Sequence, residues 1–158
     1  MKTIIAGSRQ GITFEEVKKA IQSCPWASKI TIILSGTAHG VDRLGELYAF
    51  ENNITVEKYP ADWKAHGKSA GYLRNVEMAK NADALIAIWD GTSPGTKHMI
   101  DIARDLGLRV WLNTKKEEEV KSKYILPSRE DNVKKGFDIS KQQRGSSKYK
   151  GASTRLSR

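Results

Sequence analysis

Apolar positions along the chain alternate between two kinds of run. Five runs are short and rich in β-branched residues: Lys2–Ala6, Lys29–Leu34, Ile54–Lys58, Ala84–Trp89 and Arg109–Leu112. Their lengths suit strands. Within them IIA (4–6), TIIL (31–34) and ALIAI (84–88) are apolar at nearly every position, the pattern of strands covered on both faces. Between the strands the apolar spacing is helical. Thr13 has Glu16 at the capping-box position, with Val17, Ala20 and Ile21 as the inward stripe. Residues 40–52 place Val41, Leu44, Leu47 and Tyr48 on one face. Residues 70–80 predict a shorter helix. Residues 95–106 gather Ile100, Ala103 and Leu106, and Gly107 follows as a terminating glycine. Strands alternating with helices imply parallel pairing through right-handed crossovers. The predicted fold is therefore a Rossmann-like α/β/α sandwich with a mostly parallel five-stranded sheet over residues 1–114.

The pattern changes after that. Residues 115–127, which open KKEEEVKSK, read as a charged connector helix. Residues 128–158 read as a basic tail too polar to bury a core and so disordered by itself. The formal net charge of +9 sits unevenly: residues 129–158 hold nine Lys and Arg against three Asp and Glu, and residues 1–128 hold 18 against 15. Such a tail suits loose contact with nucleic acid or plain solubility. Cys24 is the single cysteine, which rules out an internal disulfide and a Cys-rich zinc site. The apolar run at Ile4–Ala6 is too short for a signal sequence, and no run approaches the ~20 apolar residues of a membrane helix. The chain is expected to be soluble and cytoplasmic, with no membrane contact.

In parallel sheets of this kind, ligands bind beyond the carboxyl ends of the strands. Three of those ends break into glycine-containing loops that feed helices: Gly7-Ser8-Arg9, the run Ser35-Gly36-Thr37-Ala38-His39-Gly40-Val41-Asp42, and Asp90-Gly91-Thr92-Ser93-Pro94-Gly95-Thr96-Lys97. Glycine lets main chain approach a ligand, and free N–H groups at a helix start attract phosphate. Ser8, Ser35, Thr37, Ser93 and Thr96 add hydroxyls, and Arg9 and Lys97 add charge. Asp42 is a candidate either to accept from a ligand or, preferably, to anchor its own loop. Trp89 closes a buried strand and reads as core.

The stretch from Tyr59 to Asn75 is long, weakly periodic and dense in chemistry: Asp62, Trp63, His66, Lys68, Arg74 and Asn75. Long connections in compact domains are usually functional. Gly67-Lys68-Ser69 looks like the end of a nucleotide-triphosphatase phosphate loop, but the glycine that motif requires five residues earlier is Asp62. Arg74 is expected on the first turn of the next helix, its planar guanidinium able to take a phosphate bidentately. Trp63 is a candidate to stack on a base or to anchor a lid. His39 and His66 lack partners at metal-ligand spacing, and His98 reads as a surface residue, so no metal and no cofactor are expected.

The series GSR (7–9), SGTAHGVD (35–42), PADW (60–63) leading into GK.AG..RN..M (67–78), and AD.LIA.WDG.S.GT (82–96) resembles the SLOG superfamily, and within it the YspA/YpsA-related branch of bacteria and their phages. The superfamily includes the LOG phosphoribohydrolases and the DNA-processing protein DprA. The resemblance implies a Rossmann-like fold and a nucleotide-like ligand. Arg74-Asn75-x-x-Met78 is similar to the Arg-Lys-x-x-Met of the LOG enzymes, and Gly91–Thr96 to their glycine-rich loop. Two positions depart. Where the LOG enzymes carry a glutamate that serves hydrolysis, this chain has Met99. Where the branch usually has a second glycine after strand two, it has Thr37, which is expected to narrow the pocket slightly. The resemblance thus implies a module that senses or carries a nucleotide-derived phosphorylated ligand. The alternatives are a phosphoribohydrolase-like hydrolase with Arg74, Asp90 or Asp42 as catalytic candidates (Asp101 being a further possible acid), and DprA-like nucleic-acid binding through residues 129–158. A homodimer is a family-level expectation.

Overall fold

The computed structural model describes residues 1–114. The predicted connector helix (115–127) and basic tail (128–158) lie outside the described residues. β1 (Lys2–Gly7), β2 (Ile32–Ser35), β3 (Thr55–Lys58), β4 (Ala84–Trp89) and β5 (Arg109–Thr114) form one sheet in the order β3-β2-β1-β4-β5. Every pairing is parallel, so this is a Rossmann-like α/β fold. The chain builds outward from β1 to β3, then crosses to the other side of β1 to lay down β4. The strand order therefore reverses between β1 and β4, where Gly7 stands level with Ile88. That reversal opens a crevice at the carboxyl edge.

Successive residues of the central strands feed opposite faces. Ile4, Leu34, Leu85 and Ala87 pack with Met78, Met99 and Leu108 on one side, and Ile5, Ile33, Ile86 and Ile88 with Val17, Ile21, Val41 and Tyr48 on the other. The second face is covered by α1 (Phe14–Gln22) and α2 (Val41–Glu51), the first by α4 (Ala70–Lys80) and α5 (Pro94–Asp105). α1 starts at the predicted capping box: Thr13 Oγ1 accepts from the Glu16 N–H, and the Thr13 N–H donates to Glu16 Oε2 at 2.6 Å. α5 starts with Pro94 in its first turn, where no N–H is needed. It stops before Gly107, whose φ of 69° favours glycine.

Three expectations are corrected. The second strand begins at Ile32, because residues 27–29 form a 3₁₀ turn that buries Trp26 and Ile30. Leu47 lies outside the inward stripe of α2: it is exposed with Phe50, and Gly45 and Ala49 take the inner face so that the helix can approach Ile5. Between β3 and α4 a four-residue helix, α3 (Trp63–His66), is capped by Asp62, whose Oδ1 accepts from the Ala65 N–H at 2.9 Å. Apolar periodicity does not announce so short a helix. Among the described residues no helix is long and apolar enough to cross a membrane.

Candidate functional site

A cavity of about 560 Å³ opens at the strand-order reversal. Its floor is Ala6, Met78 and Met99; its sides carry Gly7, Arg9, Gln10, Ala38 and Asp42 from the first two loops and Asp90 with Ser93–Thr96 from the third. Trp63, Lys68, Gly71, Tyr72, Arg74 and Asn75 complete it from the β3–α4 connection. The three glycine loops thus do meet at one mouth. Eleven of the residues singled out in sequence line it: Gly7, Arg9, Asp42, Trp63, Lys68, Arg74, Asn75, Asp90, Ser93, Gly95 and Thr96.

The remaining candidates hold the loops in place. Ser8 is buried and joins the end of β1 to the end of β4 and the start of α2. Its N–H donates to the Ile88 carbonyl at 3.0 Å, its carbonyl accepts from Val41 at 3.2 Å, and its hydroxyl oxygen accepts from the Asp90 N–H at 3.0 Å. Ser35 is also buried; its hydroxyl donates to Glu46 at 2.7 Å and accepts from the Thr37 N–H at 3.0 Å. Gly40 precedes α2, Asp62 caps α3, and Gly91 makes the turn after Asp90 with a φ of 87°. Thr37 stays off the cavity wall and does not narrow it; its φ of 60° shows why a glycine suits the position. Lys97 turns away to Asp101 at 2.7 Å, so neither contributes charge to the cavity. His98 is half-buried, not surface: its ring meets Tyr72 edge-on at 4.5 Å and its Nδ1 lies 3.3 Å from the Asn75 amide. Trp89 braces the third loop, its indole N–H donating to the Ser93 carbonyl at 3.1 Å.

The expectation that loop amides stand open to an anion holds only in part. The Thr92 and Ser93 N–H groups both donate to Asp90 Oδ1 at 2.8 Å. These two bonds hold the Asp90 carboxyl down at about 2, so it is ionised at neutral pH and has no proton to give. The Ala38 N–H donates to Asp42 Oδ2 at 3.3 Å, the anchoring role expected for Asp42. What remains is the first turn of α5, where the Gly95 and Thr96 N–H groups have no acceptor within the helix.

Arg74 sits on the second turn of α4, not the first. Its guanidinium is committed to the protein. Nη1 donates to the Gly36 carbonyl and, at 3.4 Å, to that of Tyr59, and Nε donates to Asn75 Oδ1 at 3.0 Å. A bidentate grip on phosphate is therefore replaced by a strut that leaves Nη2 for a ligand. Asn75 in turn donates to the Gly95 carbonyl at 3.2 Å, tying the strut to the start of α5. Gly36 lies between Arg74 and Asp42: a Cβ there would overlap Arg74 Nη1 and stand 2.7 Å from Asp42 Oδ2.

Asp42 is buried, and burial pushes its carboxyl up to about 6 despite the nearby Arg74 guanidinium. The folded chain therefore holds this proton more tightly than the unfolded chain. The stability it contributes is complete below about pH 4, falls as pH rises to about 6, and is flat above. An Asp42→Asn chain, lacking the charge, should be more stable than the parent above pH 6 by up to about 3 kcal/mol, a pKa unit being ~1.4 kcal/mol. Urea midpoints of both chains between pH 4 and 7 check this. A gap independent of pH would mean that the carboxyl is not raised.

Among the described residues no three or more His, Cys, Asp or Glu side chains are grouped to hold a metal ion. Of the other lining residues, Ala38, Gly71, Tyr72 and Pro94 lie in stretches that the sequence marks without singling them out, Met78 and Met99 were visible as family positions, and Ala6 and Gln10 carry no chemical signal.

The model of the YspA, cpYpsA-related SLOG family matches residues 1–66. That stretch reaches from β1 to α3 and holds Gly7, Arg9, Asp42 and Trp63, while Lys68 to Met99 complete the same cavity. The chain is also similar to the Gene 61 protein of Mycobacterium phage D29, 38% identical over 85 residues that cover 50% of this chain and 68% of the phage protein. No solved structure matches. The family model, the parallel sheet with its cavity at the order reversal, and this relative agree: the chain belongs to the YspA, cpYpsA-related SLOG family.

Proposed function

We propose that the cavity receives a nucleotide or nucleotide-derived phosphorylated ligand, which the protein binds in order to sense or carry it. The observation that carries this reading is the convergence of Arg9, Lys68 and Arg74 with the first turn of α5 on one cavity, three cations against the carboxylates of Asp42 and Asp90. A helix start favours negative charge through its unfilled N–H groups and its dipole. The volume is that of an ordinary small-molecule site. Family membership supports a nucleotide-related ligand. Calorimetric titration with nucleoside 5′-monophosphates, ADP-ribose, NAD and cyclic nucleotides tests the reading. At least one should bind and be recovered intact, and the same compound class should appear by native mass spectrometry of freshly purified protein. Silence across the whole panel would refute it.

Asp42 favours a second reading. A carboxyl that keeps its proton to about pH 6, in the cavity beside Arg74, has the protonation range of a general acid near neutrality. In an N-glycosidic hydrolysis it would give its proton to the departing base while water adds to the sugar carbon, and the proton lost by that water would restore the Asp42 carboxyl, the one acid of the cavity where Met99 offers none. Asp90 does not fit that role, being ionised down to about pH 2. Release of free base from a bound nucleotide, lost in Asp42→Asn, would select this reading over binding alone.

A further inference from the structure

Among the described residues four large apolar side chains are exposed, and two of them, Trp63 and Tyr72, stand on the cavity wall. Trp63 is 55% exposed and Tyr72 41%. Neither exposure serves the core. α3 is held by its own Asp62 cap, so the Trp63 ring is not needed to fix the segment that carries it. Tyr72 is pinned from behind, edge-on to His98 with the ring planes at 83°. Gly71 keeps the wall between them shallow: Trp63 Cη2 lies 3.4 Å from where a Gly71 Cβ would stand. Of the four tryptophans, Trp26 is buried and Trp89 and Trp111 are partly buried, which leaves Trp63 as the one that solvent reaches freely. An indole face left in water at the rim of a cavity that carries cations is a surface on which a nucleobase can stack.

The geometry points to a base-stacking wall formed by Trp63 and Tyr72, which makes the ligand a purine nucleoside phosphate and not a bare sugar phosphate. This rests on reading the cavity as a phosphate site, and adds what lies at its other end. The phosphate goes to Arg9, Arg74 Nη2 and the start of α5. The base leaves the cavity mouth against the Trp63 indole. Purines gain most because their two fused rings cover more of the indole than a pyrimidine does.

The test titrates the full chain with AMP, GMP, CMP, UMP and ribose 5-phosphate, following both heat and tryptophan emission. The purine monophosphates should bind about 10- to 100-fold more tightly than ribose 5-phosphate, the range one stacked base supplies, and should quench emission. Trp63→Ala should bring the purines down to the affinity of ribose 5-phosphate, leaving that affinity in place. Trp63→Tyr should restore the preference while abolishing most of the quenching. An exposed side chain at this position leaves the melting temperature unchanged in both variants, which separates stacking from a structural role. Equal binding of all five compounds by the parent, or a purine preference that survives in Trp63→Ala, would overturn the stacking wall and leave the phosphate site standing. If none of the five binds, the phosphate site itself fails, and the wall with it.

Discussion

Arg74→Ala should weaken binding of a nucleoside monophosphate at least about 100-fold and cost the fold about 3 kcal/mol, the scale of leaving a buried charge uncompensated. The affinity loss has two sources. One is the direct loss of Nη2, a charged donor to phosphate. The other is the release of a strut: Arg74 joins the carbonyls of Gly36 and Tyr59 to Asn75, and through Asn75 to the start of α5. Without it two loop carbonyls lose their donor and Asp42 is left buried without the cation that offsets it. Arg74→Lys should rescue little, because one ammonium cannot span the same three acceptors. The stability loss should be larger above pH 6, where Asp42 is ionised, than below pH 5. Combining Arg74→Ala with Asp42→Asn should recover part of the stability but none of the affinity. Chemical denaturation and calorimetry of the four chains of this cycle read both quantities. Full recovery of affinity in the double variant would show that Arg74 acts only by neutralising Asp42.

The second large effect is expected at Gly7. A Cβ there would overlap the Ile88 carbonyl oxygen and stand 2.7 Å from Val41 Cγ2. The first obstacle is main chain, which has nowhere to go: Ile88 is paired across the β1–β4 ladder and its carbonyl already accepts from Ser8. Gly7→Ala should therefore destabilise by about 3 kcal/mol, the top of the usual range for overpacking. For a domain of this size, at ~2.1 cal/mol/K of unfolding entropy per residue, that lowers Tm by roughly 12 °C. Thermal unfolding followed by circular dichroism checks it. A fall of less than about 4 °C would mean that the strands part easily at this point, and that the rim of the cavity is softer than its hydrogen bonds suggest.

Much of the architecture was legible because burial writes itself into local pattern. Consecutive apolar residues such as Ile4 and Ile5 need a cover on each side, and a parallel sheet between helices supplies two. The site was legible at the level of loops for a similar reason: glycine-bearing turns after parallel strands land on the same edge. The partners of each polar group were hidden. Whether the Ser93 N–H faces a ligand or Asp90 depends on how the third loop is held, and Ser8, 82 residues away in sequence, does the holding. Arg74 read as a free phosphate fork because its acceptor on Gly36 lies 38 residues earlier. Leu47 misled in the opposite direction: its spacing fits the stripe, but Gly45 and Ala49 leave the room that the sheet occupies.

The knot at Ser8 bears on how this scaffold diverges. One buried residue ties the end of β1 to the end of β4 and the start of α2, twice through its main chain and once through its hydroxyl, so a change that suits one of these segments to a new guest disturbs the other two. The Asp62–Tyr72 wall carries its own cap and meets α5 through the ring contact of Tyr72 with His98. Selection for a different guest can therefore rewrite that wall residue by residue, while the opposite rim is inherited whole or lost whole.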